Sequence, residues 1–222
     1  MFLPLHDENP TRRFPAVTIL LIALNAGVFL WTALAPQGLD VFVLRFGAIP
    51  YTLTHGPIPG FPVERIPPLA AVFASMFLHG GLLHLLGNML YLWIFGNNVE
   101  DVLGPARFLV FYILGGAAAA ATHIALHPSS TAPMIGASGA VAAVLGAYFL
   151  LFPRARVRTL LFLFVFVQVV YLPAAVLLGF WFLLQLVSAG LGGGVAWFAH
   201  IGGFIAGMLM IRAATAKTRR AA

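Results

Sequence analysis

The chain has 222 residues, 61% of them hydrophobic and only 8% charged, and its mean hydropathy is +0.99. A soluble domain has about a quarter of its residues charged, so this composition excludes an ordinary soluble fold and predicts an integral membrane protein. The formal net charge of +6 is not a nucleic-acid signal, because the basic residues lie in short connections between apolar segments and no nucleic-acid-reading motif accompanies them.

Six apolar segments are predicted to cross the membrane as helices, since a span needs about 17–25 mostly apolar residues. The first, 14–35, is longer than the apolar region of a cleavable signal peptide, so we predict that it is retained. The connection 36–70 is rich in Pro and Gly but apolar enough to lie in the membrane interface. The later spans are 69–96, of which 84–96 crosses after a break at Gly80-Gly81, then 105–126, 138–152, 174–189 and 195–211, with 157–172 left as a cytoplasmic-side or interfacial stretch.

The distribution of basic residues predicts the orientation of this bundle. Six spans put both termini on one side, and with the termini inside, only Arg45 and Arg65 of the 12 Lys and Arg residues fall outside. We therefore predict an all-α polytopic protein with one membrane domain, 14–211, between a cytoplasmic segment 1–13 and a basic cytoplasmic tail 212–222. Basic inner loops are typical of a prokaryotic cytoplasmic membrane.

Ser138 is the first candidate for chemistry, within Gly136-Ala137-Ser138-Gly139 at the start of the fourth span. The N-terminus of a helix presents unpaired N–H groups and the positive end of its dipole, which would stabilise an oxyanion. Glycines beside the serine allow close approach of another backbone. The alternative is a serine that only caps the helix, with glycines that only serve packing.

His200 in the sixth span is the second candidate, because an intramembrane histidine is costly and by default indicates function. His200, Gly203 and Gly207 share one helix face, so a close-packed seam would bring the imidazole to Ser138 at a similar depth. The imidazole would take the serine proton and later protonate the leaving amine. No Asp or Glu lies within a span and no Cys occurs, so we predict a dyad without an acid and exclude aspartyl and cysteine proteases. The alternative is a hydrogen bond that only joins two helices.

His84 and Asn88 lie four residues apart on one face of the second span. An imidazole and an amide are neutral donors suited to a tetrahedral oxyanion, and polar groups that only join helices are the alternative. A metal site is not predicted, because nothing resembles H-E-x-x-H and no carboxylate could complete a zinc site with His79 and His84. No cofactor is predicted either. Among the other serines in the spans, Ser188 lacks a glycine frame and is given little weight.

Three motifs resemble those of the rhomboid family of intramembrane serine proteases. They are H-x-x-x-N at 84–88, G-x-S-G at 136–139 and A-H-x-x-G-x-x-x-G at 199–207, on the second, fourth and sixth spans. The resemblance covers nearly the whole chain and implies a six-helix bundle with a water-filled cavity open to the outside. The implied roles are Ser138 as nucleophile, with its N–H at the oxyanion, His200 as base, His84, Asn88 and Gly136 around the oxyanion and substrate, and His79, Gly139, Gly203 and Gly207 in support.

The same resemblance implies the partners of the protein. Its substrates would be single-span membrane proteins in the lipid bilayer, cut near the outer boundary, where small or helix-breaking residues loosen a helix whose carbonyls are otherwise hidden.

The sequence departs from the family pattern at two places. The position four residues after the nucleophile, aromatic in many members, is Ala142, so His200 must be held in another way, and 36–70 lacks a Trp-Arg pair seen in some bacterial members.

Two other functions stay open at this point. A non-proteolytic rhomboid-like binder or chaperone of membrane segments usually lacks the serine or the histidine, and both are present here. A small transporter subunit would need charged or repeat-related residues along a path through the bilayer, whereas the polar groups of this chain lie in the outer half. The sequence therefore favours an intramembrane serine protease.

Overall fold

A computed structural model describes residues 2–163, 166–191 and 194–220. Within these ranges the helices are α1 Ala16–Leu34, α2 Leu39–Phe46, α3 Pro50–Thr54, α4 Pro68–Ala74, α5 Leu82–Tyr91, α6 Asn97–Leu103, α7 Pro105–Leu126, α8 Ser138–Leu151, α9 Ala174–Leu191 and α10 Trp197–Arg220. The strands are β1 Phe2–Asp7, β2 Arg156–Leu163 and β3 Phe166–Pro173. A 3₁₀ turn, Ser75–Phe77, extends α4, and a π-helical segment, Leu92–Gly96, joins α5 to α6.

The long helices are those of an integral membrane protein. By length and composition, α1, α7, α9 and residues 197–216 of α10 can each cross a membrane. A fifth candidate is the pair 68–77 and 82–103, which is bent by 82° across the break between its two parts. α8 has 14 residues, about 21 Å at 1.5 Å per residue, which is shorter than a hydrocarbon core of about 30 Å. The described helices thus give four or five spans, and both the sixth span and the orientation of the termini stay predictions.

The prediction of an all-α fold is wrong for 2–7, 156–163 and 166–173, which form three strands. β1, β2 and β3 make a three-stranded antiparallel sheet with β2 in the middle. The local signal is an alternation at the start of β2, where Arg156 and Arg158 are exposed while Val157 and Thr159 are buried. The continuous apolar run that follows these residues hides this period of two in the sequence.

The second span is predicted to end at Gly96, whereas α6 continues the same helical run to Leu103. The boundaries of the first, third, fourth and fifth spans fall close to the predicted ones. α7 begins and ends at the predicted residues, and α9 begins at Ala174 as predicted. The sixth helix is longer than predicted, because α10 continues to Arg220. The alanine-rich stretch 212–216 favours helix. The helix therefore continues past the predicted span and through most of the predicted tail.

α8 is the centre of the bundle, and its residues from Ala140 to Tyr148 are all buried. Glycines let α10 approach the backbone of α8. A Cβ on Gly203 would overlap the carbonyl oxygen of Gly139, and one on Gly207 would overlap that of Ala143. Helices come this close only where a residue without a side chain faces the neighbour. The seam holds the beginnings of α8 and α10 side by side at one end of the bundle, called here the site end.

The other end of the bundle, called the sheet end, holds β1–β3 and two buried carboxylates. Glu100 accepts hydrogen bonds from the backbone N–H groups of Val17 and Thr18, at 2.9 and 2.8 Å, and from the Thr18 hydroxyl at 2.7 Å. It thereby satisfies free donors at the start of α1. Asp7 accepts a hydrogen bond from Tyr148 Oη at 2.6 Å, and its burial raises the pKa of its carboxyl group. These contacts fasten α1 and β1 to the rest of the bundle.

Candidate active site

Ser138 and His200 lie in hydrogen-bond contact at the site end. Ser138 is the first residue of α8 and His200 lies in the first turn of α10. The distance from Ser138 Oγ to His200 Nε2 is 2.7 Å, within the usual range for a hydroxyl hydrogen bond. The residue at the N-cap position of α8 is Ala137. The geometry therefore favours a functional pair over a serine that only caps its helix.

The second ring nitrogen of His200 contacts Gln185, a residue that the sequence analysis missed. Gln185 lies on α9 with 6% of its surface exposed, and its Oε1 is 2.8 Å from His200 Nδ1. Its Nε2 donates to the backbone oxygen of Trp181 at 3.0 Å. The rings of Trp181 and Trp197 lie beside the imidazole, with centroids 6.1 and 5.8 Å away. These contacts hold the His200 ring in place although position 142 is an alanine.

Gly136 has a backbone conformation that glycine adopts easily and other residues rarely do, with φ at +115°. A Cβ here would lie 2.7 Å from Cε1 and Nε2 of His84 and 3.8 Å from Nδ2 of Asn88. His84 and Asn88 therefore lie directly beside the loop that leads into Ser138. The Gly136 N–H donates to the backbone oxygen of Ser75 at 2.9 Å, which fixes this loop against the segment before α5.

Asn88 carries a buried donor without a partner. Its side chain is 8% exposed, and its Nδ2 makes no hydrogen bond to any residue in the described ranges. A buried N–H left unpaired costs about 1–3 kcal/mol, so such a group in a native fold calls for an explanation. An oxygen atom of a molecule bound beside Gly136 would supply the missing acceptor.

Two further predicted residues, His79 and Gly139, pack against the residues described above. His79 is fully buried, and its ring meets the His84 ring edge-on with 5.1 Å between centroids. His79 therefore packs against the His84 ring. A Cβ on Gly139 would lie 2.6 Å from the Cβ of Ala119, so Gly139 allows the start of α8 to pack against α7 as well as α10.

Ser138 and His200 open into a cavity of about 800 Å³ at the site end. Its walls also include His123 and His127 from the end of α7, whose rings stack with 4.7 Å between centroids. Neither histidine was predicted from the sequence. Their signal there is that the third span ends on the side of the membrane where the fourth begins. The volume falls within the range of ligand-binding clefts, about 300–1,000 Å³, and would admit a short stretch of extended peptide.

Fold and site together define a class: a helical integral membrane protein with a serine–histidine pair in a cavity at one end of its bundle. The comparison with known families makes this more specific. The Rhomboid domain matches residues 68–216, more than half of the chain, and the chain belongs to the rhomboid family. The match runs from the start of α4 into α10, and it therefore includes every residue of the candidate site.

Individual relatives agree with this assignment. The chain is 28% identical over 196 residues to Rhomboid-related protein 2 of Mus musculus, which covers 87% of this chain and 62% of that protein. It is 36% identical over 99 residues to Rhomboid protein 1, mitochondrial, of Saccharomyces cerevisiae, covering 42% and 28%. It is 37% identical over 76 residues to Rhomboid protease GluP of Bacillus subtilis, covering 34% and 14%. The chain thus spans less than two thirds of each of these relatives.

Proposed function

We propose that this protein is an intramembrane serine endopeptidase that cleaves membrane proteins through a Ser138–His200 dyad. The observation that carries the proposal is the 2.7 Å contact between Ser138 Oγ and His200 Nε2, since a general base must lie within hydrogen-bond reach of the proton it takes. The cavity of about 800 Å³ beside the pair leaves room for a peptide segment. The family relationship supports the proposal, because one relative is named a rhomboid protease.

The reaction would begin when His200 Nε2 takes the proton of the Ser138 hydroxyl. The serine oxygen attacks the scissile carbonyl carbon, and the π electrons of the carbonyl move to its oxygen. His200 then gives the proton to the leaving nitrogen, the C–N bond breaks, and an acyl-enzyme remains on Ser138. Water, deprotonated by the same imidazole, attacks the ester carbonyl, and the proton returns to Ser138 Oγ as the second product leaves.

The oxyanion needs donors in place when it forms. For this role we propose Asn88 Nδ2, the His84 ring and the backbone N–H of Ser138. The unpaired Nδ2 of Asn88 supports the assignment, because no hydrogen bond to a described residue has to break when a substrate oxygen arrives. The close packing of His84 against Gly136 supports it as well. His79, behind His84, would hold that ring in place.

The substrates that we propose are single-span membrane proteins. The site end would face the outside of a prokaryotic cytoplasmic membrane, with both termini inside. The basic residues support this orientation, because Arg154, Arg156 and Arg158 follow α8 at the sheet end. An intact spanning helix has its carbonyls hydrogen-bonded, so the cut would fall near the outer boundary, where small or helix-breaking residues let the substrate unwind.

Cleavage of a single-span substrate by the purified protein in liposomes tests the proposal. The wild type should release a fragment cut near the outer boundary, and Ser138→Ala and His200→Ala should release none. Ser188→Ala is the matched control, because Ser188 is a serine of the neighbouring α9 that does not line the cavity, and it should cleave like the wild type. A fluorophosphonate probe should label the wild type but not Ser138→Ala. If Ser138→Ala cleaves as well as the wild type, Ser138 is not the nucleophile. If the wild type neither cleaves the substrate nor reacts with the probe, a non-proteolytic binder of membrane segments is favoured.

A further inference from the structure

We infer that Gln185 is a positioning residue of this site, which fixes the tautomer and the orientation of His200 through Nδ1. The inference rests on the proposed function, because it gives the base of the proposed dyad a third partner. The sequence predicts a dyad without an acid. In the structure the place that an acid would take is filled by a neutral amide oxygen, Gln185 Oε1, at 2.8 Å from His200 Nδ1.

The orientation of the Gln185 amide follows from its two contacts. One end of the amide lies 3.0 Å from the backbone oxygen of Trp181, which can only accept, so that end must be the NH₂ group. The other end, which faces His200, is then the carbonyl oxygen. Turning the amide over would set two oxygen atoms against each other at Trp181. Gln185 is only 6% exposed, so little of its surface is open to solvent.

This orientation determines which ring nitrogen of His200 carries the hydrogen. Oε1 of Gln185 is an acceptor, so Nδ1 must be the donor, and in a neutral imidazole the lone pair is then on Nε2. Nε2 is the atom that lies 2.7 Å from Ser138 Oγ. The opposite tautomer would direct an N–H at the serine and could not take its proton. Gln185 therefore selects the form of His200 that can act as a base.

The contact should also strengthen as the reaction proceeds. When Nε2 takes the serine proton, the ring becomes positively charged, and a hydrogen bond from a charged donor is stronger than one from a neutral donor. A carboxylate would stabilise the charged ring more, but an ionised carboxylate inside a membrane is costly while the ring is still neutral. A buried amide orients the base without burying a charge in the resting site.

Two substitutions separate hydrogen bonding from packing at this position. Gln185→Met keeps the length of the side chain and removes the acceptor, whereas Gln185→Glu keeps an acceptor. Leu184→Met, at an exposed position of the same helix, is the matched control. For each variant we would measure kcat and KM with a single-span substrate in liposomes, together with the rate at which a fluorophosphonate labels Ser138. The ¹⁵N spectrum of histidine-labelled protein reports the tautomer of His200, assigned by comparison with His200→Ala.

We expect Gln185→Met to lower kcat and the labelling rate about tenfold, which corresponds to about 1.4 kcal/mol, with KM within about twofold of the wild type. Gln185→Glu should be at least about threefold more active than Gln185→Met, because a carboxyl oxygen can accept the same hydrogen bond. Leu184→Met should match the wild type. In the spectrum, the wild type should carry hydrogen on His200 Nδ1, and Gln185→Met should show a mixture of both tautomers.

Wild-type kcat in Gln185→Met would overturn the inference. So would a loss of activity that Gln185→Glu does not recover while the spectrum stays unchanged, since that pattern indicates packing alone. If Gln185→Met does not fold, the wild-type spectrum decides, because hydrogen on His200 Nε2 refutes the inference and hydrogen on Nδ1 supports it. A failure of the proposed function looks different, since the wild type would then neither cleave substrate nor react with the probe, whatever the tautomer.

Discussion

Gly136→Ala tests how much of the site depends on one backbone conformation. The φ of +115° disfavours any residue with a Cβ, at a cost of about 1–3 kcal/mol. The new Cβ would also lie 2.7 Å from the His84 ring, which is too close for two carbon atoms, so either the loop before Ser138 or the imidazole must move. If His84 moves, the proposed oxyanion site loses a donor, and loss of one such donor lowers kcat by about 10²–10³-fold.

Gly56→Ala is the matched control for this prediction. Gly56 also has a positive φ, +95°, but a Cβ there would meet nothing within 4 Å. We expect both variants to lower the unfolding temperature in detergent, and only Gly136→Ala to lower kcat in the liposome cleavage assay, by about 10²–10³-fold. A Gly136→Ala protein with wild-type kcat would refute the reasoning, because the loop would then accommodate the Cβ without displacing His84.

Two further predictions concern buried polar groups and would be measured by thermal unfolding in detergent. Asn88→Leu should lower kcat about 10²-fold yet raise the unfolding temperature, because it removes a buried N–H that has no partner among the described residues; a lower unfolding temperature would contradict this. Glu100→Ala should destabilise the fold by about 2–4 kcal/mol, since three donors at the start of α1 lose their acceptor. Asp101 accepts exposed hydrogen bonds from the N–H groups of Arg12 and Arg13. Asp101→Ala should therefore lower the free energy of unfolding by less than about 1 kcal/mol. Equal losses in the two variants would contradict this prediction.

Most of the helices could be predicted because each leaves a local signal in the sequence. Pro105 marks the first residue of α7, and Gly80-Gly81 marks the break before α5. Bilayer thickness sets the length of the long apolar helices. α8 shows the limit of this reasoning, because a 14-residue helix is shorter than a standard span. Its place in the centre of the bundle depends on glycines that let α10 pack against it. That contact involves both helices, so the sequence of α8 alone does not predict it.

The contact between Ser138 and His200 could be proposed from the sequence, because each residue begins a run of small residues at helical spacing. The role of Gln185 could not. Its signal was the cost of an amide inside an otherwise apolar span, but that cost does not say which residue the amide meets. The register of α9 against α10 depends on packing such as that of Trp181 on Phe204, with 6.1 Å between ring centroids, and no local pattern reports it.

The sheet could not be predicted as a whole because it joins distant parts of the chain. Phe2 in β1 lies opposite Leu161 in β2, and a pairing across that separation leaves no local period. The alternation at the start of β2 was a usable signal for one strand only. A strand needs a partner before its backbone groups are satisfied, so one such signal could not establish that the N-terminal segment supplies the edge of a sheet.

Two buried carboxylates at the sheet end and two buried nitrogens at the site end differ in their hydrogen-bond partners. At the sheet end, Glu100 and Asp7 have hydrogen bonds made within the chain, so these carboxylates hold the fold together. At the site end, Asn88 Nδ2 and His123 Nδ1 are buried without a partner in the part of the chain that the structure describes, at about 1–3 kcal/mol each. α8 connects the two ends, because it begins at the proposed nucleophile and carries Tyr148, which binds Asp7. Glu100 and Asp7 thus contribute to the stability of the fold, and we propose that Asn88 Nδ2 stays free for a substrate oxygen, so substitutions at the two ends should separate stability from catalysis.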